Sequence, residues 1–379
     1  MSEAVTSFIR NIEESERQYR ICNACRHCEG FCPVWDAMER RNFFDAGDIK
    51  FFSYLCHDCR DCFYACPYSE PHEFGLNIPK LNSTIRYQIH SENTWPKAAS
   101  GIMNRSYLSG AIVFLASLMV LAAIAISTNG YLSLFSYHST FYDVIPYNIM
   151  DDAGLALGFY ILGMWIIQGL SYWKSIGGRK RHLFNIRANV ISMYEVFSHK
   201  WFKAGDLGCD YPRETGTRTR MFFHGAMFFG FISAFIATMI AAYLQRFIGV
   251  NPPYSYISGP VFFGVLGGAL MIIGGSGFLY MKRISDKQKA DNRMLKADYL
   301  VIYLLVLISI TGLATLAIRA TSFMGLILVI HLSLVGTLFA MVPFGKMNHI
   351  IFRYLSLLKN NLEAGGIGVK MPAPGAESS

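Results

Sequence analysis

Six apolar stretches, at about 107–127, 153–173, 221–247, 260–281, 299–318 and 323–345, each reach the length that crosses a hydrocarbon core of about 30 Å as a helix. In lipid every backbone N–H and C=O has to be satisfied within the chain, so stretches of this kind fold as helices and little else. The composition agrees, with 16% charged and 53% hydrophobic residues, where an average soluble domain carries about 25% charged. The expected organisation is residues 1–105 as a small soluble domain and connector, 106–350 as a six-span membrane domain with a long loop at 174–220, and 351–379 as a C-terminal tail.

The lysines and arginines give the orientation. Ten fall between Lys174 and Arg220 and six between Lys282 and Lys296, whereas 128–152 and 248–259 hold none and the remaining connection holds only Arg319. Basic connections stay on the cytoplasmic side, which predicts a multi-pass protein of the cell inner membrane with both termini in the cytoplasm. That arrangement accounts for the net charge of +8. Nucleic acid is not implied, because no basic stripe with interleaved aromatics accompanies the charge. Within the first long loop, His182–Phe202 mixes aromatic and basic residues, as either an interfacial amphipathic helix or an ordinary packed connector would. The stretch from Gly365 is rich in Gly, Pro and Ser and is expected to be disordered.

Eight of the nine cysteines lie between Cys22 and Cys66. They form one pattern twice, 34 residues apart: Cys22, Cys25, Cys28 and Cys32-Pro33, then Cys56, Cys59, Cys62 and Cys66-Pro67. Three thiolates at two-residue spacing turn inward around one [4Fe-4S] cluster, and in two-cluster ferredoxins the fourth cysteine of each run serves the other cluster. The spacing therefore predicts Cys22, Cys25, Cys28 and Cys66 on one cluster and Cys56, Cys59, Cys62 and Cys32 on the second. Structural zinc, which uses separated Cys-x-x-Cys pairs, fits this run poorly. The first 20 residues carry no apolar run or cleavage site, and Arg40-Arg41 is not followed by an apolar stretch, so the cysteines are expected in the reducing cytosol. His57 and His72 read as surface histidines, and Cys209 as a free thiol without a cysteine partner.

A soluble wire that ends at a membrane needs an acceptor there, either a haem held by histidines or a quinone. His224 stands at the cytoplasmic start of the third span and His349 just beyond the sixth, so matched depth favours the two as axial ligands of one b haem. His331 lies about 13 Å into the sixth span. If that helix continues past Pro343, His331 and His349 share a face, being 18 residues or five turns apart. No partner histidine faces His331 from the third span, which offers Phe235, so it is a haem ligand with an unidentified partner, a quinone contact or a buried hydrogen-bonded histidine. The fourth span, rich in glycine from Gly264 to Gly277, suits close helix packing or a macrocycle lying against the backbone.

Two resemblances follow from these residues. The Phe223-His224-Gly225 start of the third span, the glycine-rich fourth span ending in Met281-Lys282-Arg283, and the segment from His331 through Pro343 to His349 resemble the haem-bearing gamma subunit of membrane-bound nitrate reductases. That likeness implies a haem held at the positions of His224 and His349. The whole architecture, a two-cluster ferredoxin domain fused to six spans, resembles the tricarballylate utilization protein B family, also called citrate utilization protein B. The family implies a partner FAD-dependent dehydrogenase that oxidises tricarballylate, with this chain reoxidising the flavin and passing electrons to quinone. No acid/base pair, phosphate loop or nucleophile motif is present, so substrate chemistry is expected in the partner. The competing classes are a subunit of a different complex of heterodisulfide-reductase-like or nitrate-reductase-like kind, a membrane redox sensor, and a transporter. Transport is disfavoured because no charged residue stands in mid-span.

Overall fold

The computed structural model describes residues 3–203, 208–212, 214 and 216–368. It is mostly α, and among these residues the one β feature is an isolated bridge between Cys209 and Thr217. Five helices precede the spans: α1 (Glu3–Cys25), α2 (Pro33–Glu39), α3 (Ala46–Leu55), α4 (Asp61–Tyr64) and α5 (Ile78–Asn93). Their starts are written locally. Asp45 and Asp48 exchange backbone hydrogen bonds in a capping box at α3, and the Asn77 side chain accepts from Lys80 N–H at α5. Cys22 and Cys25 stand in the last turn of α1 and Cys62 in α4, while Cys28, Cys32, Cys56, Cys59 and Cys66 lie in the connections between these helices.

Six helices have spanning length and hydropathy: α6 (Ser106–Asn129), α7 (Tyr147–Ser175), α9 (Thr219–Tyr243), α10 (Gly259–Ile284), α11 (Asn292–Ala317) and α12 (Met324–Met341), with α8 (Ile186–Phe197) in the long basic loop and α13 (His349–Ala364) after the last span. Side chains on the outside of the bundle, such as Met119, Phe159 and Phe235, are apolar and exposed, as a lipid-facing surface requires. The order of packing runs from α9 to α10, α11, α12 and α6.

Glycines decide the α9–α10 crossing. A Cβ at Gly274 would stand 2.6 Å from Met227 N, and one at Gly267 2.7 Å from Ala234 N, so backbone meets backbone. The glycine face of α10 is thereby filled by α9, and close packing, rather than a macrocycle, occupies it. Gly274→Val should force the pair apart at a cost of about 1–3 kcal/mol, read as a lower thermal midpoint of the detergent-solubilised protein. Gly163→Val, at a position with open space around it, is the control that leaves the midpoint unchanged.

The helix does not run on past Pro343. α12 ends at Met341, two short 3-10 turns cover 342–348, and α13 starts afresh at His349. Asn348 holds the break closed: its Nδ2 donates to Pro343 O (2.6 Å) and Gln168 Oε1 (2.5 Å), and its Oδ1 accepts from Trp165 Nε1 (3.0 Å). The shared face expected for His331 and His349 therefore does not form. Residues 349–364, at the head of the expected tail, are a helix with Phe352, Leu355, Leu358 and Leu362 buried. The remainder of the Gly, Pro and Ser-rich stretch, from 369, lies outside the described residues.

The N-terminal helices and the bundle share one core. Tyr54 of α3, Tyr172 of α7 and Phe352 of α13 meet at ring-centroid distances of 4.8–5.5 Å. In α8 the usual pattern is inverted: Ala188, Ser192 and Glu195 face inward, while Phe184 just before it, Ile186, Val190 and Tyr194 are 62–82% exposed. Apolar side chains turned outward beside the span ends are the pattern of an interfacial helix. The cysteine-bearing domain, α8, α13 and both basic connections all lie at one end of the bundle.

Candidate redox centre

The loops that carry the cysteines repeat in backbone as well as in sequence. Arg26 follows Cys25 at φ 55°, and Arg60 follows Cys59 at φ 73°, both in the left-handed region that a side chain rarely adopts. Asp58 shares it at φ 55°. Such turns bend each run back on itself, which brings residues at two-residue spacing onto one side. Backbone N–H groups aim at sulfur at both ends of the second run: Asp58 N at Cys56 Sγ and Tyr68 N at Cys66 Sγ, each 3.4 Å.

The eight thiols fall into two neighbourhoods that cross the runs. Burial pushes the Cys22 thiol up, and the adjacent Cys28, Cys66 and Cys25 push it further. Cys28 is raised to about 12, first by burial and then by Cys66 and Cys25. Cys32 is raised by burial and then by Cys56, while Cys62 is raised by burial and then by Cys59, Cys56 and Cys32, with Cys28 farther down. Cys22, Cys25, Cys28 and Cys66 thus form one group, with Cys25 exposed; we call it the outer set. Cys32, Cys56, Cys59 and Cys62 form the inner set, and all four line a single cavity together with Tyr19, Trp35 and Arg60.

Among the described residues no three His, Cys, Asp or Glu side chains converge as one metal ion would need. A cubic cluster stands between its ligands with one thiolate at each iron, so its cysteines ring it at wider spacing than a mononuclear site's. The charges around the inner set test the fit. Arg86 Nη2 (2.5 Å) and Arg353 Nη2 (2.8 Å) both donate to Cys56 O, and Arg220 Nη1 donates to Asp58 O (2.8 Å). Among the described residues Arg86 and Arg353 form no ion pair with a carboxylate, and Arg353 Nε is out of solvent with no hydrogen-bond partner. Burial and the fields of Arg86 and Arg220 depress Arg353 despite the nearby Cys56 thiol. Two guanidinium groups without a carboxylate partner, and a third that faces Asp58 and the Cys209 thiol, fit an anionic group held by the four thiols.

Two contacts were invisible in the sequence. Cys209, a free thiol, packs on the inner run: its Sγ lies 3.4 Å from Cys59 O and 3.5 Å from Arg220 Nη1. His57 is buried rather than at the surface, with Nδ1 2.9 Å from Leu55 O and its ring against Phe202. Desolvation is the larger force on it and holds it neutral, well below the usual histidine range. His72 is half-buried at the outer end and accepts from Phe74 N–H at 3.0 Å.

His224 and His349 are both half-buried at the end of the bundle that carries the cysteines, within electrostatic reach of each other. His349 Nδ1 donates to Lys346 O (2.7 Å). His224 Nδ1 lies 2.9 Å from Nε2 of His199, a residue held at φ 51° whose own Nδ1 faces Phe197 O at 3.3 Å. With Nδ1–H of His199 on that carbonyl, its Nε2 accepts the Nδ1–H of His224. Both candidates then keep an Nε2 lone pair that would be able to hold a haem iron, with the other nitrogen oriented by a partner. His331 does not join them. Its Nδ1 donates to Thr311 Oγ1 (3.1 Å), and its ring fills the space left by Gly312, where a Cβ would come within 2.9 Å. Phe235 is exposed on the outside of the bundle.

The citrate utilization protein B family description matches residues 105–367, and its Fer4-like domain description matches residues 15–92. Citrate utilization protein B of Escherichia coli is 33% identical over 354 residues, covering 92% of each chain. The chain belongs to the citrate utilization protein B family. No solved structure matches it. The family's Fer4-like portion contains both cysteine sets and α5, and the second portion contains the six helices of spanning length together with α13.

Proposed function

We propose that this protein is the membrane electron-transfer partner of an FAD-dependent dehydrogenase, reoxidising its reduced flavin and delivering the electrons to membrane quinone. The family name and the resemblance make tricarballylate dehydrogenase the first candidate for that partner. Cys22, Cys25, Cys28 and Cys66 would hold one [4Fe-4S] cluster, Cys56, Cys59, Cys62 and Cys32 the second, and His224 and His349 one b haem. Bound, these groups supply one-electron storage between a two-electron donor and a two-electron acceptor.

The observation that carries the reading is the placement of the two cysteine sets. The outer set opens to solvent at Cys25, beside exposed Arg26 and His27, where a soluble flavoprotein can approach. The inner set is bound to the bundle: Arg220 of α9 and Arg353 of α13 reach its loop, and Arg60 donates to Asp286 O (2.9 Å) between α10 and α11. A donor side and a membrane side follow from that asymmetry. The basic loops at the same end support the cytoplasm as that side, in the inner membrane. His199 and Lys346 would hold the imidazoles of His224 and His349 in one tautomer, and His331 is assigned a packing role with Thr311.

The test is quinone reduction by membranes containing the protein, driven by candidate flavoproteins and their substrates. Purified protein should carry iron, sulfide and a reducible b-type haem band. His224→Ala and His349→Ala should each abolish the haem band and leave iron-sulfur content unchanged. Full haem content in both variants refutes those ligands, and absence of iron and sulfide from the wild-type protein sinks the reading altogether.

A further inference from the structure

Three arginines from three separate elements converge on the inner cysteine loop. Arg86 comes from α5, Arg220 from the first turn of α9 and Arg353 from α13. Two of them share the carbonyl of Cys56, itself an inner-set residue, and the third takes the carbonyl of Asp58 two residues on. Arg60, in the same loop, donates away from it to Asp286 O, with its Nε 3.9 Å from the Asp58 carboxylate and its guanidinium on Tyr211 at 4.6 Å, a ring that Arg220 also faces at 5.1 Å. Asp61, the other carboxylate of the loop, accepts from Asp210 N–H at 2.9 Å. No comparable set of arginines donates to the 22–28 loop among the described residues: Arg26 is exposed and its Nε reaches only Asn23 O at 3.4 Å.

We propose that Arg86, Arg220 and Arg353 set the redox order of the two cysteine sets by favouring the added electron on the group held by the inner set. The proposal rests on the iron-sulfur reading above. Reduction adds one electron and, with no proton taken up, one unit of negative charge; reduced flavin of the partner gives the electron and a quinone finally takes it. Fixed positive charge and hydrogen bonding beside a cluster stabilise its reduced form, whereas the solvent around Cys25 screens the outer set. Because Arg220 and Arg353 belong to the membrane domain, that domain itself makes the inward direction downhill. Cys56 O, rather than a thiol, is the receiving atom of two arginines, so the charge is applied without competing for a ligand.

The experiment is an EPR-monitored redox titration of the full-length, detergent-solubilised protein and of Arg353→Gln, Arg220→Gln, Arg353→Lys and Arg220→Lys. Each Gln variant should lower the inner cluster's reduction equilibrium about tenfold, which is 59 mV for a one-electron couple, and leave the outer cluster where it was. Each Lys variant should hold the wild-type value of both. Unchanged potentials in both Gln variants at full iron content overturn the proposal, as does an equal fall in both clusters. Should a Gln variant lose its iron, the Lys variants decide: a fall in potential with charge retained and iron complete shows that geometry, not charge, sets the order. Wild-type protein without any cluster signal is a different outcome, the failure of the iron-sulfur reading itself.

Discussion

Replacing Cys66 with Ser should remove the cluster proposed for the first cysteine run and spare the one proposed for its own. Cys66 follows Cys56, Cys59 and Cys62 in sequence, yet the thiols that feel it are Cys22 and Cys28, and the thiol that acts on it is Cys25. Cys32→Ser should have the reciprocal effect, because Cys32 neighbours Cys56. The two losses are distinguishable because the sets differ in access: Cys25 is exposed, while Cys56 and Cys59 are buried under the bundle. In Cys66→Ser the surviving cluster should therefore resist a water-soluble oxidant or iron chelator; in Cys32→Ser the survivor should be the one bleached quickly. Iron and sulfide analysis should find one of the two clusters in each variant. The reverse pattern of survival would mean that each run closes on its own fourth cysteine, and the crossed arrangement would be wrong.

The fold was legible wherever one physical rule acts alone. Six spans were readable because lipid leaves the backbone no alternative to helix, and their positions in the structure agree with the apolar stretches to within a few residues at most ends. Glycines of α10 could be read as a close-packing face from composition, but whether α9 or a flat ligand would fill it depended on tertiary contacts that span Gly267 to Ala234 and Gly274 to Met227. The break after α12 was half visible: Pro343 announces it, yet what closes it is Asn348, a residue whose partners Trp165 and Gln168 lie some 180 positions away. The same distance hid Arg220, Arg353 and Cys209. Each reads locally as an ordinary loop or helix residue, and its role exists only where the cysteine loop meets the membrane domain. A signal for them was present in one form, the excess of arginine beside the span ends, which topology alone was sufficient to explain. His199 was equally silent, being one more aromatic in a loop of aromatics.

Glu363→Ala should be the most destabilising of the substitutions outside the cysteine loops, by about 3–5 kcal/mol. Glu363 Oε1 accepts from Arg41 Nη2 at 2.6 Å with both side chains no more than 3% exposed, and Arg41 Nε also pairs with Asp48 at 2.8 Å. Lys359 and Arg40 stand within 3.7–3.9 Å of the same glutamate. Three cations thus share two carboxylates, and removal of Glu363 leaves Asp48 as the carboxylate among them. Arg41 and Lys359 are no more than 8% exposed, so the penalty is that of buried cations losing their carboxylate rather than of one missing hydrogen bond. The double variant Arg41→Ala, Glu363→Ala should recover part of the loss, since it removes a stranded cation along with its partner, and the double-mutant cycle measures the coupling. Arg353 lies ten residues before Glu363 on α13, about 15 Å along the helix. If the Arg41–Glu363 pair seats that helix, Glu363→Ala has to shift Arg353 off Cys56 O, so the potential of the inner cluster should fall together with the thermal midpoint. A variant that melts early but keeps the wild-type potential would show that α13 is held at its arginine end independently of the ion cluster.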